Sequence, residues 1–515
     1  MNDDSDKVVG CVTIGLPCGW ANTKLDDVAD ILDFERQPIN SSERNERISG
    51  KNNSELFAYY GATGQVGWID GYRTEGQRIL LGEDGAPFLD PSKDKAFLVN
   101  GRFWVNNHAH VLQGAAGLID NRFLCYQLNM VDYQPHVSGS TRLKLTNSAM
   151  KQISLLVAPA NEQTRIVEKL EELLSDLDAG VAELKAAQKK LVQYRQSLLK
   201  AAVEGALTAE WRTANQPKET GTQLLERILI ERRARWEVKQ LAKFKEQGKA
   251  PPKDWQAKYP EPVKPDTNDL PELPEGWIWA SLDQVASTVR NGLSQKPSQE
   301  PIGYPILRIN AVRPMSVNLN EVRYLALAET TVTEYILENG DILATRYNGS
   351  VDLLGVFGVV RGLTTQTLHP DKLIRIKPVL DSKLADWIEI CAAIGESRRH
   401  IVSRVKTTAG QTGISGEDVK KMPIPLAPLL EQEFVIERLT TSIQEISSQG
   451  YAVDTSLKQS ALQRKNILKA AFSGQLVPQD SNDEPAIFLL ERIQAERSVQ
   501  AASKMPLGRK RKQLA

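Results

Sequence analysis

Ala158-Pro159-Ala160-Asn161-Glu162-Gln163 opens a long stretch of the chain that closes at Leu199-Lys200-Ala201-Ala202-Val203-Glu204-Gly205. The pattern returns once, from Ala427-Pro428-Leu429-Leu430-Glu431-Gln432 to Leu468-Lys469-Ala470-Ala471-Phe472-Ser473-Gly474, with both ends offset by 269 residues. Proline fits the first turn of a helix, and glycine fits the position after its last turn. Each copy therefore predicts one long helix that begins after its proline and ends at its glycine.

Apolar residues recur at steps of three and four through both copies, which is the heptad pattern of a coiled coil. A helix of about 40 residues spans about 60 Å. Two alike helices in one chain can pair antiparallel about an internal two-fold axis, so that the segments before them lie at opposite ends of a rod. The alternative is a generic coiled coil. The seam positions are Val167, Leu170, Leu174, Leu177, Val181, Leu184, Gln188, Leu191, Arg195, Leu198 and Ala202, with Ile436, Leu439, Ile443, Ile446, Gly450, Val453, Leu457, Ser460, Arg464, Ile467 and Ala471.

Three apolar residues beside the first seam, Ile166, Leu173 and Leu199, are expected to stay exposed. Exposed apolar stripes of this kind mark interfaces with other proteins. We therefore expect the outer face of this helix to bind a partner.

A second repeat precedes each helix. Leu16-Pro17-Cys18-Gly19-Trp20 recurs as Leu273-Pro274-Glu275-Gly276-Trp277 at an offset of 257 residues, so the second interior is longer than the first. Both interiors consist of short apolar runs separated by Gly, Asn and Pro, which is typical of strands and tight turns. The predicted fold is α+β, with two strand-rich α/β domains separated by two long helices that form an antiparallel coiled coil in a pseudo-two-fold duplication.

These repeats divide the chain into six predicted segments. They are a first recognition domain (1–157), a first spacer helix (158–212), a basic helical extension and Pro-rich linker (213–272), a second recognition domain (273–426), a second spacer helix (427–478), and a C-terminal helical and basic tail (479–515).

Basic residues are locally concentrated, although Lys plus Arg and Asp plus Glu number 64 each. Between Arg227 and Lys258 there are ten basic and four acidic residues, and further clusters lie at 398–406 and 509–512. A charge run is usually a solvated face, but three runs in one chain are also compatible with phosphate binding.

Polar residues in the predicted turns and loops are the candidates for reading DNA bases. Asparagine bonds adenine with two hydrogen bonds and arginine bonds guanine in the same way, and loops on a rigid domain can present both. The same residues could serve turn chemistry instead. The candidates are Tyr60, Thr63, Asn106, Asn107, His108, Ser140, Thr141, Arg142, Arg308, Asn310, Arg346, Tyr347, Asn348, Ser350, Gln411 and Thr412.

Motifs for catalysis are mostly missing, so no catalytic, cofactor-binding or metal residue is assigned. The glycine-rich run from Gly61 to Gly67 continues as strand and turn rather than as the helix that a phosphate cradle needs. Asp371, Asp381 and Lys383 loosely match a metal-dependent nuclease. The structural interpretation gives Asp371 to a strand start and Asp381 to a helix cap. A nuclease and a non-catalytic coiled-coil scaffold are the alternative functions.

The chain is expected to be cytoplasmic. Its amino terminus is acidic, without the apolar run of a signal peptide, and no stretch is apolar enough to cross a membrane. Four cysteines, Cys11, Cys18, Cys125 and Cys391, lack the spacing of a metal site and are expected to be buried reduced thiols.

Taken together, the motifs resemble those of the specificity subunits of type I restriction-modification systems, which are prokaryotic. The resemblance covers nearly the whole chain, with Ala-Pro at 158–159 and 427–428 where the family usually has Pro-Pro. The motifs that carry it are Leu16 to Trp20, Ala158 to Gln163, Leu199 to Gly205, Leu273 to Trp277, Ala427 to Gln432 and Leu468 to Gly474.

The resemblance implies a non-catalytic, DNA-binding subunit. Its two target-recognition domains would read a bipartite site in double-stranded DNA across a non-specific gap. Two methyltransferase subunits would dock on the helices and transfer methyl groups from S-adenosylmethionine to adenine. Restriction subunits, which are motor nucleases that use ATP and Mg, would join them. By this resemblance no cofactor is bound by the chain itself.

Overall fold

A computed structural model describes residues 16–408 and 411–503. Its helices are α1 (Leu25–Val28), α2 (Ser41–Ile48), α3 (Asn121–Met130), α4 (Asn147–Lys151), α5 (Ala160–Val203), α6 (Ala209–Ala214), α7 (Gly221–Glu246), α8 (Leu282–Val285), α9 (Glu329–Val332), α10 (Ser382–Ala393), α11 (Gly395–Ser403), α12 (Gly416–Lys420), α13 (Leu429–Ala471) and α14 (Ala486–Ser503).

The strands are short. They are β1 (Ala21–Lys24), β2 (Ala29–Ile31), β3 (Phe57–Gly61), β4 (Gly64–Ile69), β5 (Thr74–Glu75), β6 (Arg78–Gly82), β7 (Ala96–Val99), β8 (Arg102–Val105), β9 (Ala109–Gly114), β10 (Val137–Ser138), β11 (Lys144–Leu145), β12 (Ser154–Val157), β13 (Ile278–Ser281), β14 (Ala286–Asn291), β15 (Tyr304–Leu307), β16 (Val312–Arg313), β17 (Ser316–Val317), β18 (Val322–Leu325), β19 (Ile342–Thr345), β20 (Phe357–Val359), β21 (Leu373–Pro378), β22 (Lys406–Thr408), β23 (Gln411–Gly413) and β24 (Pro423–Leu426).

The long helices α5 and α13 begin directly after Pro159 and Pro428, as the sequence predicts. Gly205 and Gly474, just beyond their last turns, have φ of 72° and 69°, a conformation that favours glycine. The chain divides into two compact units, one of Met1–Lys185 with Asp454–Ala515 and the other of Ala186–Val453. Each long helix therefore contributes one half to each unit.

In the first unit, a four-stranded sheet in the order β2-β9-β6-β7 carries the main core. A second sheet has the order β4-β3-β8-β5, and β1 pairs with β12 just before α5. Helix α14 covers the core with Leu489 and Ile493, and its Arg497 donates to the Ala29 carbonyl at 2.9 Å. The C-terminal helix is thus part of this unit.

In the second unit, an antiparallel sheet in the order β14-β21-β19-β20 carries the core together with α10 and α11. Strand β13 pairs with β24 just before α13, and three two-stranded ribbons, β15 with β18, β16 with β17 and β22 with β23, surround the sheet. Helix α7 buries Leu224, Leu225 and Ile228 against this core. Its Arg232 donates to the Ala286 carbonyl at 3.1 Å.

The helix halves pack through the predicted seam residues at their ends. In the first unit Leu170 and Leu174 of α5 lie in one apolar cluster with Ala471 of α13. In the second unit Leu198 of α5 and Leu439 of α13 share the domain core. Toward the middle of each helix most apolar seam residues are half-buried, although Ile446 of α13 is buried.

Two expectations about the surface are wrong. Ile166 is buried beside Phe123, and Leu199 is buried in the second core, because each lies where a helix end meets the core of its unit. The large apolar residues that the long helices do expose are Val192, Tyr194, Leu430, Tyr451 and Leu462.

The expectation of buried reduced thiols holds for only part of the cysteines. Cys125 and Cys391 are free and buried, and burial raises the pKa of the Cys125 thiol to about 12. Cys18 is disulfide-bonded, and it is exposed because it lies in the turn before β1 rather than in the core. Cys11 lies outside the described residues.

A buried carboxylate ties the strand-rich part of the second unit to α13. Glu431, in the first turn of α13, is fully buried and accepts a hydrogen bond from the indole of Trp277 at 2.8 Å. Arg212 forms an ion pair with the same carboxylate and also donates to the Gly205 carbonyl at 2.7 Å. A buried charge needs such partners to offset its loss of hydration. Gln432 donates to the Ala427 carbonyl at 2.7 Å and closes the helix start.

The first unit has the same residue types at the start of α5. Gln163 donates to the Ala158 carbonyl at 2.9 Å, and Glu162 is buried. Burial raises the pKa of Glu162, although the Trp20 indole and the charge of Arg165 oppose this. Arg165 forms its own ion pair with Asp483, so the first carboxylate is less fully neutralised than Glu431.

Replacing Glu431 with alanine should strongly destabilise the second unit. The change leaves Arg212 and the Trp277 indole without their buried partner, at a cost of about 3 kcal/mol or more. Urea unfolding followed by circular dichroism measures the loss. The matched control is Glu433→Ala, which removes a part-exposed ion pair with Lys383 and should cost about 1 kcal/mol or less. Equal losses in the two variants would contradict the role given to Glu431.

Candidate nucleic-acid interface

Three loops converge at one end of the β2-β9-β6-β7 sheet. Gly82 at the end of β6 pairs with Ala109 at the start of β9, so the loops after β6 and before β9 lie side by side. The loop between β10 and β11 joins them, because the Gly85 amide donates to the Leu143 carbonyl at 3.0 Å. The sequence scatters these loops over about sixty residues, and the sheet brings them together.

His108 and Arg142 meet at this end. The Arg142 Nε lies 2.6 Å from the Asp84 carboxylate, and the His108 Nδ1 lies 3.6 Å from it. The Arg142 side chain is 59% exposed, and a Cβ at Gly85 would lie 3.1 Å from its Nε. Asp84 thus orients a guanidinium group that still faces solvent, which suits a group that bonds a base edge or a phosphate.

A buried polar network supports these loops from below. His110 is fully buried, with its Nδ1 2.8 Å from Asp33 and its Nε2 3.0 Å from the Leu145 carbonyl. Arg36 pairs with Asp33 and with Glu83. Because every member bonds another strand or loop, the network fixes how the loop end is arranged.

The other candidates of the first unit have varied positions. Asn106 is buried and accepts from the His108 amide at 2.8 Å, so its side chain serves the turn. Tyr60 packs between Phe97 and Phe103, at ring distances of 6.0 and 5.7 Å, so its ring is structural. Exposed backbone turns carry the remaining four, Thr63, Asn107, Ser140 and Thr141.

The second unit has a corresponding loop end, at the end of β19. Thr345 pairs with Leu373, and the amide of Arg346, the next residue, donates to the Lys372 carbonyl at 2.8 Å. Tyr347 pairs with Gly413 beside β23, where a Cβ on Gly413 would meet the Tyr347 ring at 2.5 Å. The glycine is therefore required by this close approach.

Arg346 lies over the ring of Tyr347, with its guanidinium carbon 4.8 Å from the ring centre. Its Nε has no hydrogen-bond partner among the described residues. Thr412 follows Gln411 in β23, which pairs with β22. Asn348 accepts from the Ser350 amide at 3.0 Å and so forms a turn, while Ser350 is exposed.

Arg308 and Asn310 belong to a separate place in the second unit. Arg308 follows β15 and pairs with Glu321 at 3.2 Å. Asn310 lies in the exposed turn after it. Within the described ranges no hydrogen bond or ion pair joins either residue to the Arg346 loops.

Sequence reasoning missed two residues of the first loop end. Asp84 forms ion contacts with two of the candidates, and Lys144 forms an exposed pair with Glu83 at 3.2 Å. Lys144 follows Arg142 at the two-residue spacing of one strand face, and that spacing could have indicated it. Asp84 carried no local signal, because an acidic residue after a strand is an ordinary turn residue.

The basic cluster at 398–406 largely has structural partners. Arg398 donates to the Leu354 and Gly355 carbonyls at 2.9 and 2.7 Å, and Arg399 pairs with Glu396. His400 bonds the Asp418 carbonyl through Nε2. These three residues are thus used within the fold, while the cluster at 509–512 lies outside the described residues.

The nuclease alternative loses two of its residues to structural roles. Asp381 caps α10 by accepting from the Lys383 amide at 3.1 Å, and the Lys383 ammonium group pairs with Glu433. Asp371 lies just before β21, as the structural interpretation predicts. Within 16–408 and 411–503, no group of three His, Cys, Asp or Glu residues could hold a metal ion. No helix in the same ranges has the length and apolar character to cross a membrane.

Known proteins are similar to this chain in sequence. The family model described as "Type I restriction modification DNA specificity domain" matches residues 17–187. The EcoKI specificity subunit of Escherichia coli K12 is 30% identical over 376 residues, which cover 71% of this chain and 69% of that protein. The Escherichia coli EcoDI specificity subunit is 21% identical and covers 95% of this chain and 98% of its own length.

A chain from a solved structure of a type I restriction-modification system, in work on complex assembly and conformational transition, has the same fold. Its TM-score is 0.54 at 16% sequence identity, and the match covers 89% of this chain and 99% of that chain. Two independent kinds of similarity, in sequence and in fold, therefore agree.

The chain belongs to the family of type I restriction enzyme specificity subunits. It is a DNA specificity subunit rather than a catalytic one.

Acid should destabilise the first unit through Asp33. Burial raises the pKa of this carboxyl group, but His110, the Val111 amide and Arg36 together hold the pKa below its ordinary value of 3.8. A depressed folded pKa contributes stability above the unfolded pKa, and that stability is lost as the pH falls through the folded pKa. The urea midpoint should therefore fall between about pH 5 and about pH 3, and Asp33→Asn should remove part of this fall.

The control for this measurement is Asp132→Asn, at an exposed carboxylate of the same unit. Its pH dependence should match that of the wild type. If Asp33→Asn and the wild type lost equal stability over this pH range, the network around His110 would not depend on the charge of Asp33.

Proposed function

We propose that the chain reads a bipartite target in double-stranded DNA, with one half-site for each recognition domain, and that it carries the methyltransferase and restriction subunits of the same system. The observation that carries this proposal is the pair of loop ends, each at one end of its own four-stranded sheet. The residues at the two ends differ, with Arg142 and His108 in one unit and Arg346 and Tyr347 in the other. Different side chains at two sites favour two different half-sites.

The recognition domains would be residues 1–157 and 273–426, with the spacer helices at 158–212 and 427–478. The segment 213–272 would be a basic extension and linker, and 479–515 a helical and basic tail. We infer that the two spacer helices form an antiparallel coiled coil in an internally duplicated chain. The matching helix starts, with a buried Glu followed by a capping Gln in each unit, support this inference.

Two methyltransferase subunits would dock along the spacer helices. Residues that support this placement are Val192 and Tyr194 on α5 and Tyr451 and Leu462 on α13, each of which exposes about half or more of its side chain. S-adenosylmethionine would then be bound by the methyltransferase, and ATP and Mg by the restriction subunit. Residues of this chain would position DNA and partners without taking part in the chemistry.

Replacing Arg142, which is exposed, or Arg346, which is partly buried, should relax one half-site at a time. Arg142→Ala should reduce discrimination in the half-site read by the first domain, and Arg346→Ala in the other. The loss of one bidentate base contact costs about 1 to 3 kcal/mol of discrimination. Methylation of a library with randomised half-sites by the assembled complex measures both variants.

Arg399→Ala is the control, because that arginine is 72% exposed but pairs within its own helix. It should leave both half-sites unchanged. Uniform weakening across all sequences by Arg142→Ala or Arg346→Ala would make these residues phosphate contacts. Relaxation of both half-sites by one variant would contradict the assignment of one half-site to each domain.

Lengthening the spacer helices should widen the unread gap. One heptad inserted after Leu177 and one after Ile446 keep the heptad pattern in both helices and add about 10 Å. The preferred gap should grow by up to about three base pairs, while the bases of both half-sites stay the same. Activity is expected to fall unless DNA twist absorbs the added rotation.

A target library in which only the gap length varies tests whether the spacer helices set the gap. Each single insertion is the control, because one added heptad slips the pairing and should reduce activity at every gap length. A double-insertion variant that methylates the original gap as well as the wild type, and no other gap, would show that the helices do not set the spacing.

A further inference from the structure

The helix α7 continues well beyond the part that packs on the second recognition domain. Its first turns bury Leu224, Leu225 and Ile228, and Arg232 makes the last anchor to β14. From this point the segment 233–258, here called the basic segment, contains eight basic and three acidic residues. This charge excess is far above that of the chain as a whole, which is neutral.

Aromatic packing holds the basic segment in a defined shape. The ring of Trp255 stacks on Trp236 at 5.8 Å and meets Phe244 edge-on at 6.1 Å. Tyr259 meets Trp236 at 5.4 Å, and Arg232 donates to the Tyr259 hydroxyl. The chain that returns after α7 therefore folds back on the helix and supports it.

The helix α7 packs beside β14, a strand that ends near the loop end of the second unit. Arg232 bonds the Ala286 carbonyl at the start of this strand. At its other end, Asn291 pairs with Ile374, one residue from the Leu373 that pairs with Thr345. Arg346 follows Thr345 directly, so the end of β14 and the Arg346 loops lie at the same end of the sheet.

Two lysines lie on the same face of α7 as Arg232, further along the helix. Lys239 and Lys243 lie seven and eleven residues further along α7, which is about two and three helical turns and about 10 and 16 Å. Glu334, which pairs with Arg290 near the end of β14 at 3.0 Å, has its pKa lowered by Arg290 first and by these two lysines as well. The lysines therefore lie on the side of the domain that carries Arg290 and Glu334.

Among the described residues these lysines have no direct acidic partner, and the nearby Glu334 is paired with Arg290. Arg233 and Arg235 pair with acidic residues of the same helix. Lys239 and Lys243 are exposed and have no ion pair within 4.0 Å in the part of the chain that the structure describes. Exposed lysines without an ion pair, close to a loop end that reads DNA, attract phosphate groups.

We propose that the basic segment binds the phosphate backbone of duplex DNA that flanks the second half-site, outside the bases that are read. The inference rests on the proposed function, because it takes the loop end that carries Arg346 as a site that reads DNA. The segment supplies affinity without sequence preference, since lysine bonds phosphates as a point charge. Its helical support on α7 gives the contact a fixed distance from the half-site.

The test uses the full chain assembled with the methyltransferase of its own system. Lys239→Gln/Lys243→Gln should weaken binding several-fold on cognate and non-cognate duplexes alike. The slope of log affinity against log salt should fall by about one to two, since each lost phosphate contact contributes about 0.9. Base preferences in both half-sites should stay unchanged.

Lys264→Gln/Lys421→Gln is the matched control, because it removes two exposed lysines at the opposite end of β14. Val263, beside Lys264, donates to Asp283 at 3.0 Å, and the Met422 carbonyl, beside Lys421, accepts from Leu282 at 2.9 Å. This variant should bind DNA with the affinity and salt slope of the wild type. Melting curves of both variants show whether the fold is preserved.

Duplexes that lack the flank next to the second half-site complete the test. Wild-type affinity should fall when this flank is removed, and the Lys239→Gln/Lys243→Gln variant should not respond to the removal. An unchanged affinity and salt slope, an equal effect of the control, or altered base preference in the variant would overturn the proposal. A wild-type complex without sequence preference would instead contradict the proposed function.

Discussion

The buried carboxylate of Glu431 is the contact on which the geometry of the second half depends. It lies in the first turn of α13, and it bonds the Trp277 indole before β13 and the Arg212 guanidinium after α5. One acidic group therefore joins the entry of the recognition domain, the start of one long helix and the end of the other. Because an unpaired buried charge is strongly unfavourable, the three segments are held in a single arrangement.

At the two loop ends, Arg142 and Arg346 each have a partner that orients the side chain. Asp84 holds Arg142, and the Tyr347 ring supports Arg346. Such support lowers the entropy lost when a long side chain binds DNA. The polar network of His110, Asp33 and Arg36 beneath the first loop end is buried, so the loops rest on a rigid base. The loop residues differ between the two units, while the sheets that carry the loops keep one strand order.

The sequence predicted local features well, because local chemistry determines them. The prolines and glycines gave the ends of α5 and α13, and Asp381 was rightly interpreted as a helix cap. Features that depend on tertiary packing were missed. Ile166 and Leu199 have the spacing of an exposed stripe, yet they lie where the recognition domains cover the helix. Tyr60 and Asn106 have residue types that suit DNA contact, but the ring packs between two phenylalanines and the amide stabilises a turn. Asp84 could not be found, because only the sheet brings it to Arg142.

We propose that one chain specifies two separate half-sites across an unread gap. Sequencing of methylated adenines in the genome, with and without the gene for this chain, tests this proposal most directly. Removal of the gene should abolish methylation at one motif, made of two different short segments at a fixed spacing. A continuous motif, a palindromic motif, or methylation that does not change when the gene is removed would contradict it.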